Sequence, residues 1–105
     1  MFKHINIQQL CELRAEKNVN IADTRDKQSF DAGHISEAVH LDNASLHQFI
    51  SDTAVDDALV VCCYHGNSSQ GAADYLSEQG FSEVYSLDGG FELWKVSQPD
   101  DIAQG

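Results

Sequence analysis

Ala58-Leu59-Val60-Val61-Cys62-Cys63, followed by Tyr64-His65-Gly66-Asn67-Ser68-Ser69, is the stretch on which the fold turns. Six apolar residues run without a polar break between polar flanks, the pattern of a strand covered on both faces in a parallel sheet. A glycine that permits tight curvature comes next. The chain then enters a predicted helix over about 69 to 79, with Ala72, Ala73 and Leu76 on one face and Gly80 to end it. Cys63 is thereby set at the carboxyl end of the central strand, where ligands gather in open α/β sheets.

Upstream, Asn6 and Gln9 stand at capping-box spacing, and Ile7, Leu10 and Cys11 recur at helical spacing. A helix over about 7 to 16 follows, with Cys11 as a core residue. Val19 to Asp23 alternates as a strand does, and a short helix over about 27 to 32 is stopped by Gly33. Val39-His40-Leu41 reads as a short strand, with Asn43 as the cap of a helix over about 44 to 51. Downstream, Val84 to Leu87 forms the last strand, Gly89-Gly90 turns the chain, and Phe91 to Val96 makes a helical turn or two before Pro99. Alternating strands and helices predict an α/β fold, a central mostly parallel sheet with helices on both faces. At 105 residues the chain has room for one core. A single domain over 1–105 is expected, with its core over about 5–96 and a C-terminal tail over 97–105.

Six basic residues against seventeen acidic ones give a net charge of −11. That charge repels phosphate backbones and anionic lipid surfaces, so neither nucleic acid nor membrane is an expected partner. The first residues lack the apolar core of a signal peptide, and no run approaches the roughly 18 apolar residues of a membrane span. Three cysteines, two of them adjacent, make a poor disulfide framework. A reducing, cytoplasmic location fits best.

The loop after Cys63 aims backbone N–H groups and the positive end of a helix at one point. Lowering a thiol from a pKa of roughly 8.5 to roughly 6.5 raises its ionised fraction at pH 7 from about 3% to about 75%. Strand alternation turns Cys62 the other way, into the core. The same alternation argues against a metal site built from Cys62, Cys63 and His65.

This strand-Cys-loop-helix unit, with Cys63 to Ser68 as a six-residue loop, resembles the active-site loop of the rhodaneses. Asp23-Thr24-Arg25 with Phe30, Gly33, His34 and Ile35 is similar to the amino-terminal signature of that family, and Leu87-Asp88-Gly89-Gly90-Phe91 with Trp94 to its carboxyl-terminal one. The loop sequence most resembles the small single-domain thiosulfate sulfurtransferases of bacteria, those of the GlpE type. The resemblance implies double displacement: Cys63 takes the outer sulfur of thiosulfate as a persulfide and passes it to cyanide or a thiol acceptor such as thioredoxin. It also implies Cys63 as the catalytic residue, Tyr64, His65, Gly66, Asn67 and Ser68 as substrate-binding residues, and no metal or organic cofactor, the sulfur riding on the enzyme itself.

Within that pattern His65 reads equally as a loop donor and as a plain exposed residue. Asn67 reads as a residue adopting an unusual backbone angle rather than touching substrate. Arg25 and His34 read as scaffold. Many rhodaneses that use thiosulfate carry Arg or Lys in this loop, yet no Lys or Arg occurs here between residues 28 and 94, so weak thiosulfate binding is expected. Ser36-Glu37 also stands where the family usually shows Pro-Gly.

A phosphatase of the same fold would need a larger loop and an arginine to grip phosphate oxygens, and the sixth residue after Cys63 is Ser69. Idle binding modules of this family commonly lack the cysteine. A relay that hands the persulfide to a partner protein needs the same residue as the thiosulfate enzyme, and sequence does not separate the two. Either chemistry requires main-chain amides converging on Cys63; a thiol sealed from solvent with its peptides turned elsewhere would remove both.

Overall fold

The computed structural model describes residues 1–105. Its elements are β1 (Lys3–Ile5), α1 (Ile7–Glu16), β2 (Val19–Asp23), α2 (Lys27–Ala32), β3 (His34–Ile35), β4 (Val39–His40), α3 (Leu46–Asp52), β5 (Ala58–Cys62), α4 (Ser68–Glu78), β6 (Glu83–Leu87), α5 (Gly90–Ser97) and β7 (Ile102–Ala103). Five strands form one sheet in the order β1-β6-β5-β2-β4, and every pair in it is parallel. Strand β5 lies at its centre, and all five of its residues are buried.

Alternation along β5 divides the core in two. Val60 and Cys62 join Ile5, Leu10, Ile21, Phe30, Leu87, Phe91 and Trp94 under α1, α2 and α5. Leu59 and Val61 join Leu41, Ala73, Leu76, Phe81 and Val84 under α3 and α4. Each Val, Leu, Ile or Phe among them, taken fully out of water, stabilises the fold by about 1.5–3 kcal/mol. No helix is long and apolar enough to cross a membrane.

The capping box of α1 forms as its spacing predicts: the Asn6 side chain accepts from the Gln9 amide at 2.8 Å, and the Gln9 side chain accepts from the Asn6 amide at 2.9 Å. Cys11 is half-buried and packs against the larger core. Helix α3 corrects the sequence reading. It starts at Leu46, with Ser45 rather than Asn43 at its N-cap. Asp42 takes the preceding turn by accepting from the Ser45 amide at 2.9 Å, while its own amide donates to Ser45 Oγ at 3.0 Å.

Three short strands escape the sequence reading. β1 pairs with β6 at the sheet edge, and β3 pairs antiparallel with β7 in a separate two-stranded ribbon. Residues read as a tail therefore run back along the domain, where Trp94 Nε1 donates to the Asp101 carbonyl at 2.9 Å and Arg14 pairs with the Asp101 carboxylate at 2.8 Å.

Candidate active site

Cys63 follows the last residue of β5, so its side chain falls on the α4 side of the sheet while Cys62 points into the opposite core. Burial pushes the Cys62 thiol far up, out of any ordinary ionising range. The two neighbours thus have opposite characters.

Two amides and a hydroxyl meet at Cys63 Sγ; the amides donate to the sulfur, and the hydroxyl accepts from the thiol and donates to the thiolate. The Gly66 amide lies at 3.1 Å, the Ser69 amide at 3.3 Å and Ser69 Oγ at 3.2 Å. Ser69 is the second residue of α4, so its amide is one of the unpaired N–H groups that give a helix start its positive end. Burial opposes ionisation of Cys63, but the hydroxyls of Ser69 and Ser68 and the amides of Ser69 and Gly66 outweigh it, and the pKa falls to about 7. Close to half of the sulfur is then a thiolate at neutral pH, which is the nucleophilic form.

Cys63 is 2% exposed. The thiol is therefore well covered, but the peptides around it are turned onto the sulfur rather than away from it.

Loop curvature is concentrated at Gly66, with φ 90°, a left-handed conformation that costs a side-chain-bearing residue roughly 1–2 kcal/mol. A Cβ there would also stand 3.0 Å from the Gly89 amide and the Leu87 carbonyl. Because Gly66 absorbs the turn, Asn67 needs no unusual angle. It sits at φ −94°, ψ −59° as the N-cap of α4, and its side chain makes no capping bond.

Tyr64, His65 and Asn67 surround the thiol without bonding it. Tyr64 is held at the start of α2, its hydroxyl bonded to the Asp26 carboxylate and, at 2.9 Å, to Ser29 Oγ. That phenol helps hold the Asp26 carboxyl down at about 2. His65 is exposed. Ser68 is exposed and favours the thiolate through its side chain. Of the residues singled out from sequence, Gly66 and Ser68 act on the sulfur; Tyr64, His65 and Asn67 frame it.

Ser69 and Ser86 were missed as site residues. Ser86 Oγ lies 2.7 Å from Ser69 Oγ, and both residues are fully buried. A signal existed in Val84-Tyr85-Ser86-Leu87, where alternation predicts an apolar residue beside Val84 on the inner face and a serine stands instead.

Arg25 does not reach the loop sulfur. Its guanidinium grips Asp23, with Nη2 2.8 Å from Oδ2, donates to the Gly33 carbonyl at 2.6 Å, and lies 4.1 Å from the centre of the Phe91 ring. Lys95 is committed to Glu92 at 2.9 Å. The nearby cations are spent on carboxylates of the fold. His34 is likewise structural, with Nδ1 2.8 Å from the Phe30 carbonyl and its ring stacked on Phe30.

A Thiosulfate sulfurtransferase GlpE of Ectopseudomonas mendocina is 61% identical over 104 residues, covering 99% of this chain and 94% of that protein. One of the same name from Pseudomonas putida is 54% identical with the same coverage. Among solved structures, a rhodanese-related protein from Thermoplasma volcanium superposes with a TM-score of 0.77 at 25% identity, covering 92% of this chain and 94% of that one. A rhodanese-like domain from Anabaena sp. reaches 0.85 at 22% identity over 100% of this chain and 81% of that one, which speaks for the fold alone. The rhodanese-like domain model matches residues 6–97, from the cap of α1 to the end of α5 and so across the strand, loop and helix that gather the amides on Cys63; this chain belongs to that family.

Proposed function

We propose that the chain, acting as one domain over residues 1–105, is a thiosulfate sulfurtransferase that works by double displacement through Cys63. The Cys63 thiolate attacks the outer sulfur of thiosulfate. The sulfur–sulfur bond of thiosulfate breaks, its electron pair leaves on sulfite, and a cysteine persulfide anion remains. An acceptor then attacks the outer persulfide sulfur and returns the pair to Cys63 as thiolate. Cyanide leaves as thiocyanate. A dithiol such as thioredoxin takes up the sulfur on one thiol, expels it as hydrosulfide with the other and closes its own disulfide. The transferred sulfur is the only group carried, so no metal or organic cofactor enters the cycle.

The observation that carries this reading is the convergence of the Gly66 amide, the Ser69 amide and the Ser69 hydroxyl on Cys63 Sγ. Such donors stabilise the attacking thiolate and the returning one without reorganising during the reaction. The names of the relatives at 61% and 54% identity support thiosulfate as the donor. In this reading Gly66 and Ser68 support the sulfur anions, and exposed Tyr64, His65 and Asn67 line the approach of the sulfonate. Three free cysteines are in keeping with a reducing compartment such as the cytoplasm.

Intact mass after incubation with thiosulfate tests the proposal. The parent gains one sulfur atom, removable by cyanide, and Cys63→Ser gains none. A gain that survives in Cys63→Ser moves the chemistry to another cysteine and overturns the assignment.

A further inference from the structure

We propose that Ser86 is a positioning residue for sulfur transfer, acting through Ser69 to hold Cys63 in its anionic, hydrogen-bond-accepting form. The inference rests on the sulfurtransferase reading above and adds a residue from a different strand to it.

Ser86 Oγ, Ser69 Oγ and Cys63 Sγ stand in a row, 2.7 Å and then 3.2 Å apart. Both serines are fully buried, and Ser86 lies in register with Val61, two residues before Cys63. The Ser86 hydroxyl has no hydrogen-bond partner other than Ser69 Oγ, and the Ser69 hydroxyl has none other than Ser86 Oγ and Cys63 Sγ. A buried hydroxyl proton without an acceptor is costly. With Cys63 ionised, Ser86 therefore donates to Ser69, and the Ser69 proton has the sulfur as its acceptor; with a thiol, Sγ donates to Ser69 Oγ instead.

Proton counting gives the consequence. With a thiolate, the row holds two protons for two contacts, and each is used. With a thiol a third proton is added, and no further acceptor exists along the row. The serine pair thus discriminates against the neutral thiol. Ser86 adds to Ser69 by polarisation, because a hydroxyl that accepts a hydrogen bond is a stronger donor of its own, by about 10–30%.

Packing alone does not call for this pair. Val84, on the same face of β6, is part of the apolar core under α4, and a Val at 86 would continue that core without the cost of burying a hydroxyl. The charged and titratable groups around Cys63 are Asp23 and Arg25 at the end of β2, Cys62 on β5, Tyr64 and His65 in the loop, Asp88 with its partner His4 beside the end of β6, and Glu92 on α5. None of them is hydrogen-bonded to Sγ, which is bonded at Gly66 and Ser69, with the Ser68 hydroxyl also favouring the thiolate. Burial raises the Cys63 pKa, and the Ser69 hydroxyl leads the groups that bring it down to about 7.

The test is the pH dependence of Cys63 alkylation by iodoacetamide, followed by fragment-ion mass spectrometry of the peptide that carries both Cys62 and Cys63, which places the label on Cys63 and keeps Cys11 and Cys62 out of the reading. Ser86→Ala raises the midpoint by roughly half a pH unit, a roughly threefold loss of thiolate on the acid side. Ser69→Ala raises it further, and the double variant matches Ser69→Ala, because Ser86 has no route to the sulfur once Ser69 is gone. Ser86→Thr and Ser86→Val share a shape and differ in the hydroxyl, so they separate hydrogen bonding from packing should Ser86→Ala fold poorly. Thr keeps the parental midpoint and Val shifts it. An unshifted midpoint in Ser86→Ala or Ser86→Val, or a double variant shifted by the full sum of the single effects, overturns the role of Ser86. Alkylation does not need thiosulfate, so that result leaves the sulfur-loading experiment standing, and failure of sulfur loading in the parent leaves the titration interpretable.

Discussion

Phe91 donates its amide proton to the Cys63 carbonyl at 2.8 Å, so the start of α5 is bonded to the residue whose sulfur the loop amides face. Glu92 does the same for Tyr64 at 3.0 Å. This docking brings two backbones together at Gly90, where an added Cβ would stand 2.5 Å from the carbonyl oxygens of both Cys63 and Tyr64. The paired glycines after Asp88 are thus a condition for seating the loop.

Gly90→Ala is expected to destabilise the protein by roughly 2–4 kcal/mol, combining a left-handed backbone at φ 59° with a collision against main-chain atoms that have nowhere to move. Urea denaturation measures the loss. Sulfur transfer should fall with it, because the displaced carbonyl belongs to Cys63 itself. A variant of parental stability would mean that α5 does not rest on the loop.

Ionisation of Cys63 should appear in folding stability. Its folded pKa, about 7, lies below the 9.0 of an unperturbed thiol. A depressed acid pKa contributes stability that is complete above the unfolded value and is lost as pH falls through the folded one. The parent should therefore gain about 2–3 kcal/mol relative to Cys63→Ser between about pH 7 and about pH 9. Cys62, whose pKa is raised by burial, works in the opposite sense near the alkaline end, but it is common to both proteins and cancels. Denaturation curves for the pair across that range check the slope; parallel curves would contradict the depressed pKa.

Removing Arg25 should unfold more than it disarms. Arg25→Ala leaves the Asp23 carboxylate buried without its partner and frees the Gly33 carbonyl, a change expected to cost about 3–5 kcal/mol. Thermal unfolding reports it directly. If instead Arg25→Ala keeps its melting temperature and loses only affinity for thiosulfate, the guanidinium binds substrate and its pairing with Asp23 is secondary.

Legibility from sequence followed the strength of local signals. The helix over 7–16 and the strand over 19–23 have the observed bounds, because each carries its own cap or alternation. Strands β1, β3 and β7 have two or three residues each and exist only through their partners, so no local pattern announces them. Helix α3 was misplaced by two residues at its start because Asp42, Asn43 and Ser45 are all good cap types, and the reciprocal Asp42–Ser45 bonds decide among them. At the site, Cys63 and Gly66 were legible from the strand-to-helix loop. Ser86 was not, since the contact that gives it meaning joins β6 to α4, seventeen residues back along the chain.

Thiosulfate is a dianion meeting a protein of net charge −11, and the cations closest to the loop, Arg25 and Lys95, are paired with Asp23 and Glu92. Only oriented amides and the start of α4 remain to attract it, so the Michaelis constant for thiosulfate should be high, far above the low micromolar range. His65 is the exposed loop position at which a fixed charge would act without touching the donors on Cys63. A lysine there, separated from the bound anion by several ångströms of largely aqueous medium, contributes about 1 kcal/mol of attraction. His65→Lys is therefore expected to lower the Michaelis constant about fivefold with little change in turnover, and added salt should erase most of the gain. Steady-state kinetics at low and high ionic strength decide it: an unchanged constant at low salt would mean that the sulfonate is already neutralised by the loop amides.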